Sequence, residues 1–180
     1  MRLLAEESLC LVVDVQEKLV PVLPDHTVLL AHLVRLINGL GLLEVPFVLS
    51  EQYPQGLGPT LPMIRERLPG VEPWPKVSFS CCDDPALAEV LLGSGRKNIL
   101  LCGIEAHVCV LQTAIDLVEL DFQPVVVVDA VASRNSADAQ WALRRLEAEG
   151  VLVATVESLL FELTRAAGTD RFKAISRLVK

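Results

Sequence analysis

Aromatic side chains are scarce in this sequence, and it has neither long apolar runs nor clusters of basic residues. Only 4% of its 180 residues are aromatic although 52% are hydrophobic, so aliphatic side chains must fill the core. Runs such as Val125–Val128 are far too short to cross a bilayer. The net charge is −7, and no stretch is rich in Lys or Arg, which argues against a nucleic-acid-binding surface. The sequence therefore predicts a protein that binds neither membranes nor nucleic acid.

The cysteines and histidines show no metal-binding spacing. The five cysteines form no C-x-x-C pair and the three histidines are scattered, so we expect no metal and no other cofactor. The segment Met1–Glu7 turns acidic at once and has no apolar signal-peptide core. An odd number of cysteines in a chain without such a core indicates free thiols. We therefore expect a cytoplasmic protein.

Strand-like and helix-like segments alternate along the chain. The predicted strands are Leu9–Val15, Val45–Ser50, Val71–Ser80, Asn98–Gly103, Pro124–Asp129 and Val151–Val156. The predicted helices are Thr27–Leu40 closed by Gly41, Pro62–Leu68, a helix starting at Asp84-Pro85 and ending near Gly93, His107–Leu120, Ser136–Glu149, and two short helices at the end. No linker or repeat interrupts this alternation. It predicts one α/β domain over residues 1–180 with a doubly wound, mainly parallel sheet.

Several polar residues fall at the carboxyl ends of the predicted strands. They are Asp14, Glu51, Lys76, Cys109 and Asp129. In doubly wound sheets the active site lies at this edge, near the point where the strand order reverses. An acid at a strand end can equally cap the next helix, but the whole set suggests a shared cleft.

Cys109 is the candidate nucleophile because it lies in the first turn of a predicted helix. The helix N-terminus favours a thiolate, and its free N–H groups can hold an oxyanion. The alternative is a small buried hydrophobe. His107 is only two residues away and so faces elsewhere on a helix, and His26 and His32 are expected to be solvated. Asp14 is then the best-placed base, and Lys76 can keep the Asp/Cys pair ionised.

Three motifs, in order and spacing, carry a family resemblance. They are Leu11-Val12-Val13-Asp14-Val15-Gln16, Lys76-Val77-Ser78-Phe79-Ser80 and Gly103-Ile104-Glu105-Ala106-His107-Val108-Cys109-Val110. Together they resemble the first-strand D-x-Q, the lysine and the nucleophile motifs of the isochorismatase-like cysteine hydrolase superfamily. The segment Glu51–Gly58 looks most like the isochorismatase domain-containing branch. It lacks the histidine of the metal cluster that nicotinamidases carry after the second strand.

The resemblance implies a fold and a set of residue roles. The fold would be a three-layer α/β/α sandwich around a six-stranded sheet. Cys109 would be the nucleophile, Asp14 the base and later the acid, and Lys76 their electrostatic partner. The Ile104–Glu105 peptide would be cis, and the backbone N–H groups of Glu105 and Cys109 would form an oxyanion hole. Family members also lead us to expect a homo-oligomer.

The predicted activity is hydrolysis of a small amide-like or related C–N substrate through a thioester on Cys109. Candidate substrate contacts are Gln16, Leu19, Tyr53, Phe79 and His107. Two alternatives stay open at this point. One is a thiol redox or peroxide-handling protein that pairs Cys109 with Cys81 or Cys82. The other is an interaction protein that keeps the fold without turnover.

Overall fold

One parallel sheet forms the centre of the computed structural model, which describes residues 2–180. Its strands are β1 Ser8–Val13, β2 Phe47–Gln52, β3 Pro73–Lys76, β4 Asn98–Ile104, β5 Gln123–Ala132 and β6 Leu152–Ala154. They are ordered β3-β2-β1-β4-β5-β6, and every neighbouring pair is parallel. The predicted α/β fold with a six-stranded, doubly wound sheet is therefore confirmed.

Helices cover both faces of the sheet. They are α1 His26–Leu42, α2 Pro54–Leu57, α3 Pro62–Arg65, α4 Pro85–Gly93, α5 Leu111–Glu119, α6 Ser136–Ala148, α7 Val156–Thr164 and α8 Asp170–Val179. Short 3₁₀ turns lie at Ala5–Glu7 and Val20–Val22, and a π-helical turn at Ala106–Val110. Helices α1, α7 and α8 pack on one face of the sheet, and α4, α5 and α6 pack on the other. None of the helices formed by residues 2–180 is both long and apolar enough to cross a membrane.

Strand β1 shows why the strands of this sheet are continuous apolar runs in the sequence. All six of its residues are buried, because helices cover it from both sides. Successive side chains point to opposite faces, so Cys10 and Val12 join the core under α1. Leu9, Leu11 and Val13 join the core under α4 and α5.

The strand order reverses between β1 and β4, which places the chain segments after these strands side by side. Gly103 makes this possible at the end of β4. Its φ is +110°, and a Cβ there would collide with the backbone carbonyl of Val13 in β1. On the other side of the reversal, Asp14 follows β1 with a left-handed φ of 52°, a conformation that few residues adopt without a compensating role.

Most elements begin or end a few residues from their predicted bounds, and β3 covers only Pro73–Lys76 of the predicted Val71–Ser80. Three of the differences have a clear cause in the structure. Helix α1 continues through Gly41 to Leu42, and the left-handed residue is Glu44, because Leu43 and Val45 turn back into the core. Strand β5 continues past Asp129 to Ala132, because a shift in its pairing with β4 accommodates extra residues. The helix predicted from His107 begins instead as a π-helical turn and becomes α-helical only at Leu111.

Alanine substitutions at Gly103 and Gly41 compare a glycine that lies against the backbone of another strand with one that has open space beside it. Gly103→Ala is expected to cost about 3 kcal/mol or more of unfolding free energy, because it combines a strained φ with overlap on the backbone. Gly41 lies exposed in the last turn of α1 with open space where its Cβ would be. Gly41→Ala should therefore stabilise by about 0.5–1 kcal/mol. Chemical denaturation measures both, and equal effects would contradict the proposed close approach of β1 and β4.

Candidate active site

Three strand ends contribute the residues of the candidate active site. Asp14 directly follows β1, Lys76 is the last residue of β3, and Cys109 lies in the π-helical turn after β4. Strand β2 lies between β1 and β3, with Ser50 paired with Val13 and Gln52 paired with Lys76. The parallel register therefore brings residues 62 positions apart, Asp14 and Lys76, into direct contact.

Asp14 and Lys76 form a fully buried ion pair. The Lys76 Nζ lies 2.9 Å from Asp14 Oδ2, and neither side chain is exposed to solvent. The Ser50 hydroxyl donates a hydrogen bond of 2.7 Å to the other carboxylate oxygen. Burial alone lowers the pKa of Lys76, but the charge of Asp14 and those of nearby Cys81 and Cys109 raise it above its ordinary value. Lys76 therefore stays charged at neutral pH.

The Lys76 ammonium is held by more acceptors than it has protons. Besides Asp14, it contacts Gln52 Oε1 at 2.6 Å and the backbone oxygens of Ser78 and Phe79 at 3.2 and 3.1 Å. Gln52 also donates from Nε2 to the carbonyl of Val77 at 2.7 Å. The loop after β3 is thereby wrapped around the lysine. No N–H of Lys76 is left over for another ligand.

The thiol of Cys109 lies beside the ion pair and is buried, with 6% of the residue exposed. Burial raises the pKa of Cys109 to about 12; the charge of Asp14 and a thiol–carboxylate hydrogen bond also raise it, while Lys76 lowers it. The expectation that the helix start would favour a thiolate is wrong for this environment. Desolvation and the adjacent carboxylate outweigh the effect of the Lys76 ammonium. The resting form is the neutral thiol.

The segment between β4 and Cys109 is fixed by a cis peptide and by backbone hydrogen bonds. The Ile104–Glu105 peptide is cis. The Glu105 carbonyl accepts from the N–H groups of Val108 and Val110 at 3.1 and 3.2 Å, which closes the π-helical turn. The Glu105 carboxylate accepts from the backbone N–H of Arg134 at 3.0 Å. Among residues 2–180, the Glu105 N–H itself donates to no protein group.

A second thiol, Cys81, lies in the same buried site. Its backbone N–H donates to Thr113 Oγ1 at 2.9 Å, and its side chain is fully buried. Burial and the charge of Asp14 raise the pKa of Cys81 to about 11, against the lowering effects of Lys76 and of hydrogen bonds with Thr113 and Ser50. Cys82 is half-buried, and burial with the nearby Cys81 raises its pKa to about 12.

Two of the predicted substrate contacts face inward instead. Gln16 is fully buried, and its Nε2 donates to the carbonyls of Gln52 and Gly58 at 2.9 and 2.7 Å. Its Oε1 accepts from the Gln52 N–H at 2.8 Å, so the amide ties β2 to the following loop and has no group free for a substrate. Leu19 packs against the core under α1.

The other three predicted contacts lie at the surface around the site. Tyr53 and Phe79 are each 54% exposed. Tyr53 lines a cavity of about 190 Å³ together with Pro75, Lys76 and Val77. His107 is half-buried, and its Nδ1 lies 2.9 Å from Ser133 Oγ.

Two of the strand-end acids do not join the site. Glu51 accepts from the N–H and hydroxyl of Thr60, both at 2.7 Å, and so fixes a loop. Asp129 caps α7 by accepting from the Val156 N–H at 2.8 Å. It also lies 3.3 Å from His32 Nδ1, which is half-buried rather than solvated as expected. Asp129 therefore has a helix-capping role like the alternative given for strand-end acids, although the helix is α7 and not the next one, and Glu51 has a loop role that was not predicted.

Ser50, Gln52 and Thr113 contact the site but were not identified from the sequence. A signal was present in β2, where Ser50 and Gln52 alternate at the carboxyl end of a buried strand. Thr113 gave none, because it lies within an ordinary amphipathic helix. Within residues 2–180, no three His, Cys, Asp or Glu side chains converge in a way that could hold a metal ion.

Comparison with known proteins places this geometry in a family. The isochorismatase domain model matches residues 8–158. The mouse isochorismatase domain-containing protein 2A is 40% identical over 180 residues, which is 99% of this chain and 85% of that protein. The MAR1 ribonuclease structure from Caenorhabditis elegans is 35% identical with a TM-score of 0.93, covering 99% of this chain and 92% of that one.

A more distant structure shares the fold. The YcaC gene product of Escherichia coli, an octameric hydrolase of unknown specificity, is 21% identical with a TM-score of 0.93. It covers 99% of this chain and 90% of that one. The predicted resemblance is therefore confirmed, and family membership supports a hydrolase. This chain belongs to the isochorismatase family.

Proposed function

We propose that this protein is a cysteine hydrolase that cleaves the C–N bond of a small, uncharged amide-like substrate through a thioester on Cys109. The observation that carries the proposal is the buried Asp14–Lys76 pair, 2.9 Å apart, with a buried thiol beside it. A buried ion pair is costly to desolvate and is a weak source of stability, so its presence next to a nucleophile favours a catalytic role.

The first half of the reaction makes the thioester. Asp14 takes the proton of the Cys109 thiol as Sγ attacks the substrate carbonyl carbon. The oxyanion that forms accepts hydrogen bonds from the backbone N–H groups of Glu105 and Cys109, each worth about 3 kcal/mol in such sites. The Glu105 N–H has no competing acceptor among the residues described. Asp14 then gives its proton to the leaving nitrogen, and the C–N bond breaks.

The second half returns the enzyme to its starting state. Asp14, again a carboxylate, takes a proton from a water that attacks the thioester carbonyl. The C–S bond breaks, the acid product leaves, and the Cys109 sulfur regains the proton. Lys76 stays charged throughout and offsets the negative charge that moves between Asp14 and the sulfur. Ser50 and Gln52 hold this pair in position through their hydrogen bonds.

The proposed substrate class follows from access and charge. Cys109 is only 6% exposed, which limits the acyl group to a small one. Lys76 already has four oxygen neighbours, so it has no N–H to offer a substrate anion. The relative from Caenorhabditis elegans is a ribonuclease, but RNA recognition needs free cations against phosphate, and this chain carries a net charge of −7. We therefore propose a neutral small molecule rather than RNA.

The second candidate function is thiol redox chemistry, favoured by the presence of Cys81 in the site. All five cysteines are free in this structure. Mild peroxide would then oxidise the Cys109 thiol to a sulfenic acid. The Cys81 thiol would condense with this sulfenic acid, which releases water and forms a disulfide. We further propose that residues 1–180 act as one domain, and that this domain forms a homo-oligomer.

A substrate panel tests the hydrolase directly. Small primary amides and carbamoyl compounds are incubated with the protein and assayed for ammonia release, and an RNA oligonucleotide in a separate arm is assayed for strand cleavage. Peptide mass spectrometry should show an acyl adduct on Cys109, and Cys109→Ser should lower turnover about a thousandfold or more. Cys81→Ser is the matched control and should keep most of the activity. Cleavage of RNA alone would replace the proposal with a ribonuclease. A Cys81–Cys109 disulfide under peroxide, with no acyl adduct, would replace it with thiol redox chemistry.

The pKa of Cys109 makes a separate prediction about its reactivity without substrate. Because the pKa is raised to about 12, alkylation of Cys109 by iodoacetamide should increase about tenfold per pH unit from pH 7 to 10. Glutathione in the same samples serves as the control, since an ordinary thiol with a pKa near 8.5 levels off within this range. A plateau for the Cys109 peptide below pH 9 would show that the pKa of Cys109 is not raised.

A further inference from the structure

Helix α6 presents a largely exposed aromatic side chain. Trp141 is 66% exposed in a protein that has only two tryptophans. The Arg144 guanidinium lies 4.9 Å from the centre of its ring and leaves the rest of the indole in solvent. Large exposed aromatics of this kind are typical of the centres of protein interfaces.

The surface around Trp141 is concave and carries both charges. A cavity of about 220 Å³ lies beside the indole, lined by His107, Leu111, Asp138, Trp141, Ala142 and Arg145. Asp138, Trp141 and Arg145 are spaced i, i+3 and i+7, so they form one stripe along α6. The acid is at the N-terminal end of this stripe, the base is at the C-terminal end, and the apolar residues lie between them.

We propose that this stripe is a self-association surface, on which α6 of a second copy packs antiparallel about a two-fold axis. An axis between residues 141 and 142 brings residue 138 of one copy opposite residue 145 of the other, and the reverse. Asp138 then meets Arg145 twice, as the isologous geometry of a two-fold interface requires. Each Trp141 then lies beside the two-fold axis against α6 of the second copy, while Ala142 stays buried against its own chain.

The same contact borders the candidate active site. His107 lines the cavity beside Trp141 and is anchored to Ser133, and it lies two residues before Cys109 in the π-helical turn. A second copy seated on the stripe covers the outer side of this turn. The proposal does not depend on the hydrolase assignment, since it rests on α6 and on the cavity beside Trp141.

Charge exchange across the two-fold axis provides the test. Sedimentation velocity on the full chain should show an assembly that the single variants Asp138→Arg and Arg145→Asp weaken about tenfold or more, because each creates like-charge pairs. The double variant carrying both changes should recover the assembly, since both pairs form again with their charges exchanged. Asp170→Lys on α8 makes a comparable charge change away from the stripe and should leave the assembly unaltered.

A second readout follows Trp141 itself. In a Trp74→Phe background, acrylamide quenching of Trp141 fluorescence should be weak in the assembly and strong in the single charge-reversal variants. Circular dichroism shows that each variant is folded. The proposal would be overturned if the wild-type protein is a monomer or if the single charge reversals leave the assembly intact. It would also be overturned if the double variant assembles no more strongly than the single variants.

Discussion

The ion pair between Asp14 and Lys76 is the interaction on which the rest of the site depends. It joins the ends of β1 and β3 across β2, with no solvent contact at either side chain. Removing both charges from water is expensive, and the pair is compensated by a hydroxyl, an amide and two carbonyls from the surrounding chain. Those partners fix the loop after β3 and set the electrostatic environment in which the Cys109 sulfur must ionise.

This arrangement links the sheet topology to the chemistry. The reversal of strand order places the turn after β4 next to Asp14, and the absence of a side chain at Gly103 allows the two strands to close up beneath it. The thiol is therefore kept neutral at rest, since burial and the carboxylate raise its pKa to about 12. A neutral resting thiol beside a charged base suits an enzyme that ionises its nucleophile only as the substrate reacts. It also protects the thiol from oxidation between turnovers.

Much of the fold and the central residues of the site could be predicted, because they depend on local patterns in the sequence. Alternating apolar strands and helices predicted the parallel sheet, and the three motifs predicted which side chains to compare. The direction in which a side chain points was harder to predict from the sequence. Asp14 and Asp129 both fall near strand ends, yet the pairing shift in β5 turns Asp129 toward α1 and α7. Gln16 looked like a substrate contact by its motif, and only the tertiary structure shows its amide bound to backbone on β2. Cys81 and Thr113 meet through packing of α5 against a loop, which no local pattern reports.

The central claim is that Asp14 acts as the proton acceptor for Cys109, while its charge adds to the effect of burial that keeps the resting thiol protonated. Asp14→Asn separates these two effects. The account predicts that this variant loses hydrolysis of a substrate that the wild-type protein turns over. It also predicts that the pKa of Cys109 falls below its wild-type value, because the nearby carboxylate is gone and Lys76 remains, so alkylation at a fixed alkaline pH becomes faster. Full turnover in Asp14→Asn, or a Cys109 pKa that rises, would contradict the account.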